Sequence, residues 1–174
     1  MMTTLRRSVL AFALGAVLGL AASGSAQTPA DLSSLTFLLG DWDAVGLPRG
    51  ESGAFNFSLA VQDRIIVRTN YAKTAARDGR PATRHDDLMV IFVEGGTIKA
   101  DYFDSDKHVI HYSVQTRGPR DVVFISEPNA AEPRYRLTYS LAADGTLKGS
   151  FETAAAESQD DFKPLFSWSA RKLK

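Results

Sequence analysis

From Phe55 onward, apolar and polar residues alternate in short runs. Phe55, Phe57, Leu59 and Val61 alternate with Asn56, Ser58 and Ala60, and Ile65, Val67, Thr69 and Tyr71 alternate with Ile66, Arg68 and Asn70. A period of two sends one set to a core and the other to water, the mark of a half-buried strand. Leu88 to Val93 is apolar at every position, so part of that strand should be covered or held at a contact. Turn residues separate the runs: Asp78-Gly79-Arg80-Pro81, Glu94-Gly95-Gly96, Asp104-Ser105-Asp106-Lys107, Arg117-Gly118-Pro119 and Ala143-Asp144-Gly145. Short strands punctuated in this way predict an all-β fold with mostly hairpin connections. Counting the runs gives nine or ten strands in a single antiparallel up-and-down β-barrel. Only Asp31 to Leu39 reads as helical, a short turn that would plug one barrel end with Leu35, Phe37 and Leu38.

The first residues have a different character. Arg6 and Arg7 precede an apolar stretch from Ser8 to Leu20, and Gly24-Ser25-Ala26 offers small residues for cleavage. The pattern predicts a signal peptide over residues 1–26 and one domain over 27–174, exported to a periplasm or secreted. The apolar stretch falls short of the roughly 20 residues that span a bilayer. Cysteine is absent, which excludes a lipidated cysteine anchor, disulfides, thiolate metal sites and cysteine nucleophiles. Basic and acidic residues balance at 20 each. Such a chain offers no field for nucleic acid or an anionic membrane surface.

Candidate chemistry is sparse. Tyr71 shares its parity with Ile65 and Val67, Tyr102 with Ile98 and Ala100, and Tyr139 with Tyr135 and Leu137. These three are the expected inward tyrosines, each with a hydroxyl to orient a ligand. Arg68 and Arg136 have the opposite parity, so solvent is their expected place. Either one, if it turned inward, would anchor a carboxylate. Asp101, Asp104, Asp106, His108 and His111 gather around Tyr102. His108 and His111 stand an odd number of residues apart, which on a strand separates their rings, so no metal site is expected. His111 within its strand remains a candidate pocket residue, and His85-Asp86-Asp87 reads as a solvated strand start. No Gly-x-Ser-x-Gly occurs, and Gly95-Gly96 is explained by a hairpin rather than a phosphate loop.

Two segments carry a resemblance. Phe37-Leu38-Leu39-Gly40-Asp41-Trp42 and Trp168-Ser169-Ala170-Arg171 resemble the signature of the calycin superfamily, the lipocalins and fatty-acid-binding proteins. The resemblance implies a closed barrel whose ends meet at Gly40 and Trp42, with Arg171 stacked on the indole of Trp42. The segments His85–Ile91, Ala100–Asp104 and His108–Val114 resemble exported bacterial lipocalin-like proteins of unknown function. Nitrobindin-like barrels share the opening and bind haem through a late histidine. Here no histidine follows His111, so no cofactor is expected. The implied function is binding of a small hydrophobic or amphipathic ligand, with no nucleic acid partner and no membrane anchor. One alternative is an enzyme at the barrel mouth using Tyr102 and His111 as acid and base. Another is an interaction module with a filled barrel, working through the face of Leu88–Val93.

Overall fold

The computed structural model describes residues 31–129 and 131–174, and in them ten strands follow one another. They are Gly40–Val45 (β1), Glu51–Ala60 (β2), Ile65–Thr74 (β3), Thr83–Glu94 (β4), Thr97–Asp104 (β5), Val109–Gly118 (β6), Asp121–Ser126 (β7), Arg134–Leu141 (β8), Thr146–Ala154 (β9) and Lys163–Lys172 (β10). Each pairs antiparallel with its chain neighbour, and β10 returns to β1, so the barrel closes without a free edge. This is the all-β up-and-down barrel that the alternation predicts. The expected signal peptide lies outside the described residues.

Register and pleat decide which side chains point inward. Trp42, Phe55, Phe57, Ile66, Met89, Ile91, Ala100, Tyr112, Phe124, Leu137 and Tyr139 form one buried cluster. Their strand neighbours on the outer face include Arg84, Asp86, Lys99, Asp101, Arg136 and Glu152. Charges outside and aromatics inside reverse the pattern of a lipid-facing barrel. The two-sided apolar strand β4 buries Met89 and Ile91, while Leu88 and Val93 stay exposed on its surface. β2 ends at Ala60; Val61, Gln62 and Asp63 leave it through a left-handed turn, with φ of 52°, 54° and 62°.

A 3-10 turn, Leu32–Leu38, leads into β1, the Ser33 amide in its first turn donating to the Asp31 carboxylate at 2.9 Å. Leu32, Leu35 and Leu38 are its buried residues; Phe37, expected among them, packs at the margin of the cluster. Because β1 begins here, the plug shares its end of the barrel with the β2–β3, β4–β5, β6–β7 and β8–β9 hairpins. The opposite end, where β1 leads to β2 and β3 to β4, is the mouth.

The closure differs from the expected one. Trp42 Nε1 donates to the Leu38 carbonyl at 2.7 Å, which ties plug to barrel. The cation over the indole is Lys172, its Nζ 5.5 Å from the ring centroid, and not Arg171. Trp42 stands opposite Lys172 in the register and Arg171 opposite Asp43. Arg171 therefore falls on the outer face, where it meets Asp144 at 3.8 Å. Gly40 keeps its structural place: at φ 113°, a Cβ there would meet the Lys172 side chain.

On the adjoining wall, the indole of Trp168 on β10 lies against Gly149 on β9, where any Cβ would overlap its ring. Gly149→Ala should therefore destabilise the barrel by about 1–3 kcal/mol through overpacking. Urea unfolding of the variant checks this, and an unchanged midpoint would mean that Trp168 swings clear freely.

Candidate functional site

The inward face of β3 is the one carrying Ile66, Arg68 and Asn70, the reverse of the expected parity. Ile66 and Arg68 are buried, while Tyr71 stands on the outer face, its ring beneath Lys73 and Arg84 at 5.0 Å each. The run Ile65-Ile66-Val67 is apolar on both faces and gives no preference by itself. Pairing with β4 settles it, because Arg68 then faces Met89, Asn70 faces Asp87 and Ala72 faces His85. On the next strand Asp87 faces Asp104 and Met89 faces Tyr102. Three neighbouring strands thus bring Arg68, Asn70, His85, Asp87, Tyr102 and Asp104 onto one inner wall toward the mouth.

Arg68 is paired with Asp87, and their side chains are only 6% and 4% exposed. Asn70 Nδ2 donates to the other oxygen of Asp87 at 2.6 Å. The guanidinium lies over Phe55 at 5.6 Å and Tyr139 at 5.9 Å from the ring centroids. Burial opposes its charge, but Tyr139 and Asp87 outweigh that and hold its pKa above the ordinary value. Tyr139 is the hub of the floor, touching Phe55, Phe57, Phe124 and Trp168 at centroid distances of 5.5–6.3 Å. Burial pushes its hydroxyl up to about 12, with Arg68 pulling the other way. Burial likewise raises Tyr102 and Tyr112 well above the ordinary phenol range. All three phenols are neutral in neutral water.

Above this floor the barrel is hollow. The space measures about 1220 Å³, counting the mouth and a shallow groove it shares with the outer face of β8–β10. Phe55, Tyr112, Leu137, Phe151, Phe166 and Trp168 supply apolar wall, and Arg68, Asn70, His85, Asp87 and Tyr102 supply the polar side. Leu47 and Pro48 of the β1–β2 connection border the mouth.

At the rim, His85 Nδ1 sits 2.9 Å from Asp106 Oδ2, and its Nε2 lies 3.3 Å from the Tyr102 hydroxyl. His85, Asp104 and Asp106 offer ligand atoms within 4.8 Å of one another, a spacing a divalent ion could use. Those atoms are already engaged. Asp104 Oδ1 accepts the backbone amides of Asp106 and His108 at 2.9 Å each, and Oδ2 faces His108 Nδ1 at 2.8 Å and Tyr102 at 3.4 Å. Burial alone would raise Asp104, but the bonds from His108 and the turn amides outweigh it and hold its pKa below the usual 3.8. A carboxylate lowered on folding stabilises the native state above its unfolded pKa and loses that contribution as pH falls through the folded value. The urea midpoint should therefore drop between about pH 4 and the lowered value more steeply in the native protein than in Asp104→Asn. Parallel profiles would overturn this role.

Of the residues singled out in the sequence, Arg68, Tyr102 and Tyr139 come together on the inside. Tyr71 does not. Arg136 lies outside, bridged to Glu152 by two bonds of 2.6 and 2.7 Å. His111 also lies outside, 61% exposed and 2.6 Å from Asp101, because its partner position on the neighbouring strand is the outward Asp101. The expected pairing of His111 with Tyr102 is therefore wrong; His85 is the histidine beside Tyr102. His85, Asp87 and Asn70 were missed. The signal was present in β4: His85, Asp87, Met89 and Ile91 share one parity, so a buried Met89 and Ile91 carry Asp87 inward with them.

No protein-family model matches this chain, and no curated protein matches it.

Proposed function

We propose that this protein is an exported carrier, a calycin-type barrel holding a small hydrophobic or amphipathic molecule in its hollow. One observation carries the reading: a hollow with aromatic walls and the buried Arg68–Asp87 pair at its floor, part of an open space of about 1220 Å³ that also takes in the mouth and the outer groove. Pockets for small molecules share this build, mostly apolar with a few fixed polar groups that orient the ligand. A filled barrel acting only through its surface would have no such space. The apolar outer residues Leu88 and Phe103 face each other on β4 and β5, but they form a small patch beside many charges.

The test is native mass spectrometry of the protein isolated from its own exported fraction, followed by organic extraction. A discrete small molecule, displaced by excess of a neutral apolar dye, supports the carrier reading. A protein that comes out empty and takes up no such dye overturns it. A second reading, acid–base chemistry at the rim, is favoured by the line Asp106–His85–Tyr102. In that line the carboxylate would fix the imidazole and set Nε2 against the Tyr102 hydroxyl at the edge of the hollow. If so, a molecule altered on incubation with the native protein should be recovered unaltered from His85→Gln.

A further inference from the structure

Resting on the carrier reading, we infer that the polar end of the bound molecule is uncharged, a hydroxyl or carbonyl rather than a carboxylate. An arginine inside a hydrophobic hollow would by itself invite an anion. Arg68 is not by itself. Asp87 already occupies it, Asn70 completes that carboxylate, and both ion-pair side chains are more than nine-tenths buried. The pair is neutral as a unit. A ligand carboxylate would bring a second negative charge to one guanidinium in a space of low dielectric, without a second cation to offset its desolvation.

The other charged groups on this wall make an anion still less welcome. His85 stands 3.7 Å from Asp87, and Asp104 and Asp106 lie just beyond it toward the mouth. On this wall an anion meets three carboxylates against one arginine; the other cations bordering the space, Lys73, Lys148 and Arg171, stand on the outer faces of their strands. A neutral polar end meets no such opposition. The Tyr112 phenol on the lining remains protonated and can donate to it, while the Tyr102 hydroxyl already donates to Asp104. Beneath them, Arg68 Nε and the Tyr139 hydroxyl are shut from water with no hydrogen-bond partner. A group the size of water does not reach Nε, so that nitrogen offers an entering carboxylate no open donor.

Competition against a neutral fluorescent dye, N-phenyl-1-naphthylamine, tests this at neutral pH with decanol, decanoate and decylammonium. The two ions are comparably water-loving, so comparing them isolates the sign of the charge. Decanol should displace the dye at the lowest concentration, and decanoate should show no advantage over decylammonium. Decanoate ahead of decylammonium by about tenfold or more would mark a free arginine anchor and overturn the inference, while leaving the carrier reading intact. Failure of the dye itself to bind would overturn the carrier reading and the inference with it. Asp87→Asn adds a second arm, since it frees the guanidinium and should move decanoate ahead of decylammonium. An unchanged ranking in folded Asp87→Asn would overturn the role given to Asp87, and the native ranking decides alone if that variant does not fold.

Discussion

Replacing Arg68 by leucine should destabilise the barrel by about 3–5 kcal/mol, the loss typical of breaking a buried ion pair on one side. The reason lies in what remains. Asp87, 4% exposed, would lose its one close cation in a wall where Asn70, a more distant His85 and the carboxylate of Asp104 face it. The flat contacts of the guanidinium with Phe55 and Tyr139 would also be lost. The double variant Arg68→Leu/Asp87→Leu should recover most of that loss. Apolar residues of similar volume replace a buried pair at little net cost, because two desolvation penalties disappear together. Urea unfolding of the native protein, both single variants and the double variant measures the coupling. A single-variant loss below about 1 kcal/mol would mean that water reaches Asp87.

The same pair shows why the barrel was legible in the sequence and its site only partly so. Alternation and turn residues are local signals, and they report strands and hairpins directly. Which face of a strand turns inward is a tertiary fact wherever both faces are apolar. At Ile65-Ile66-Val67 the two parities look alike, and charge favoured the wrong one, because an arginine belongs in water unless something buries with it. That something is Asp87, nineteen positions along the chain from Arg68. It becomes visible only when Asn70 is set opposite Asp87 in the register. Tyr71 and His111 were misplaced for related reasons, each judged by its own chemistry before its partner strand was known. Tyr102 and Tyr139 lie in strands whose inward parity is marked by Ala100 and Leu137, and the local pattern was sufficient there.

Trp42→Ala should be the other severe lesion, with a loss of about 3–5 kcal/mol. The indole is 2% exposed, joins the plug to the wall through Leu38 and stacks on Phe55 at 6.3 Å. Its removal opens a cavity at the point where β1 closes on β10, and it loosens the turn that seals this end. β10 ends on two adjacent cations, Arg171 and Lys172, on its opposite faces, and a double-mutant cycle separates them. Lys172→Ala should couple to Trp42→Ala by about 0.5–1 kcal/mol, the size of an exposed cation–π contact. Arg171→Ala should add to Trp42→Ala within about 0.5 kcal/mol, as sites without shared partners do. The family resemblance alone predicts the opposite ranking, with the coupling on Arg171. Measured coupling on Arg171 and none on Lys172 would therefore restore the arginine closure and displace the register that puts Lys172 over the indole.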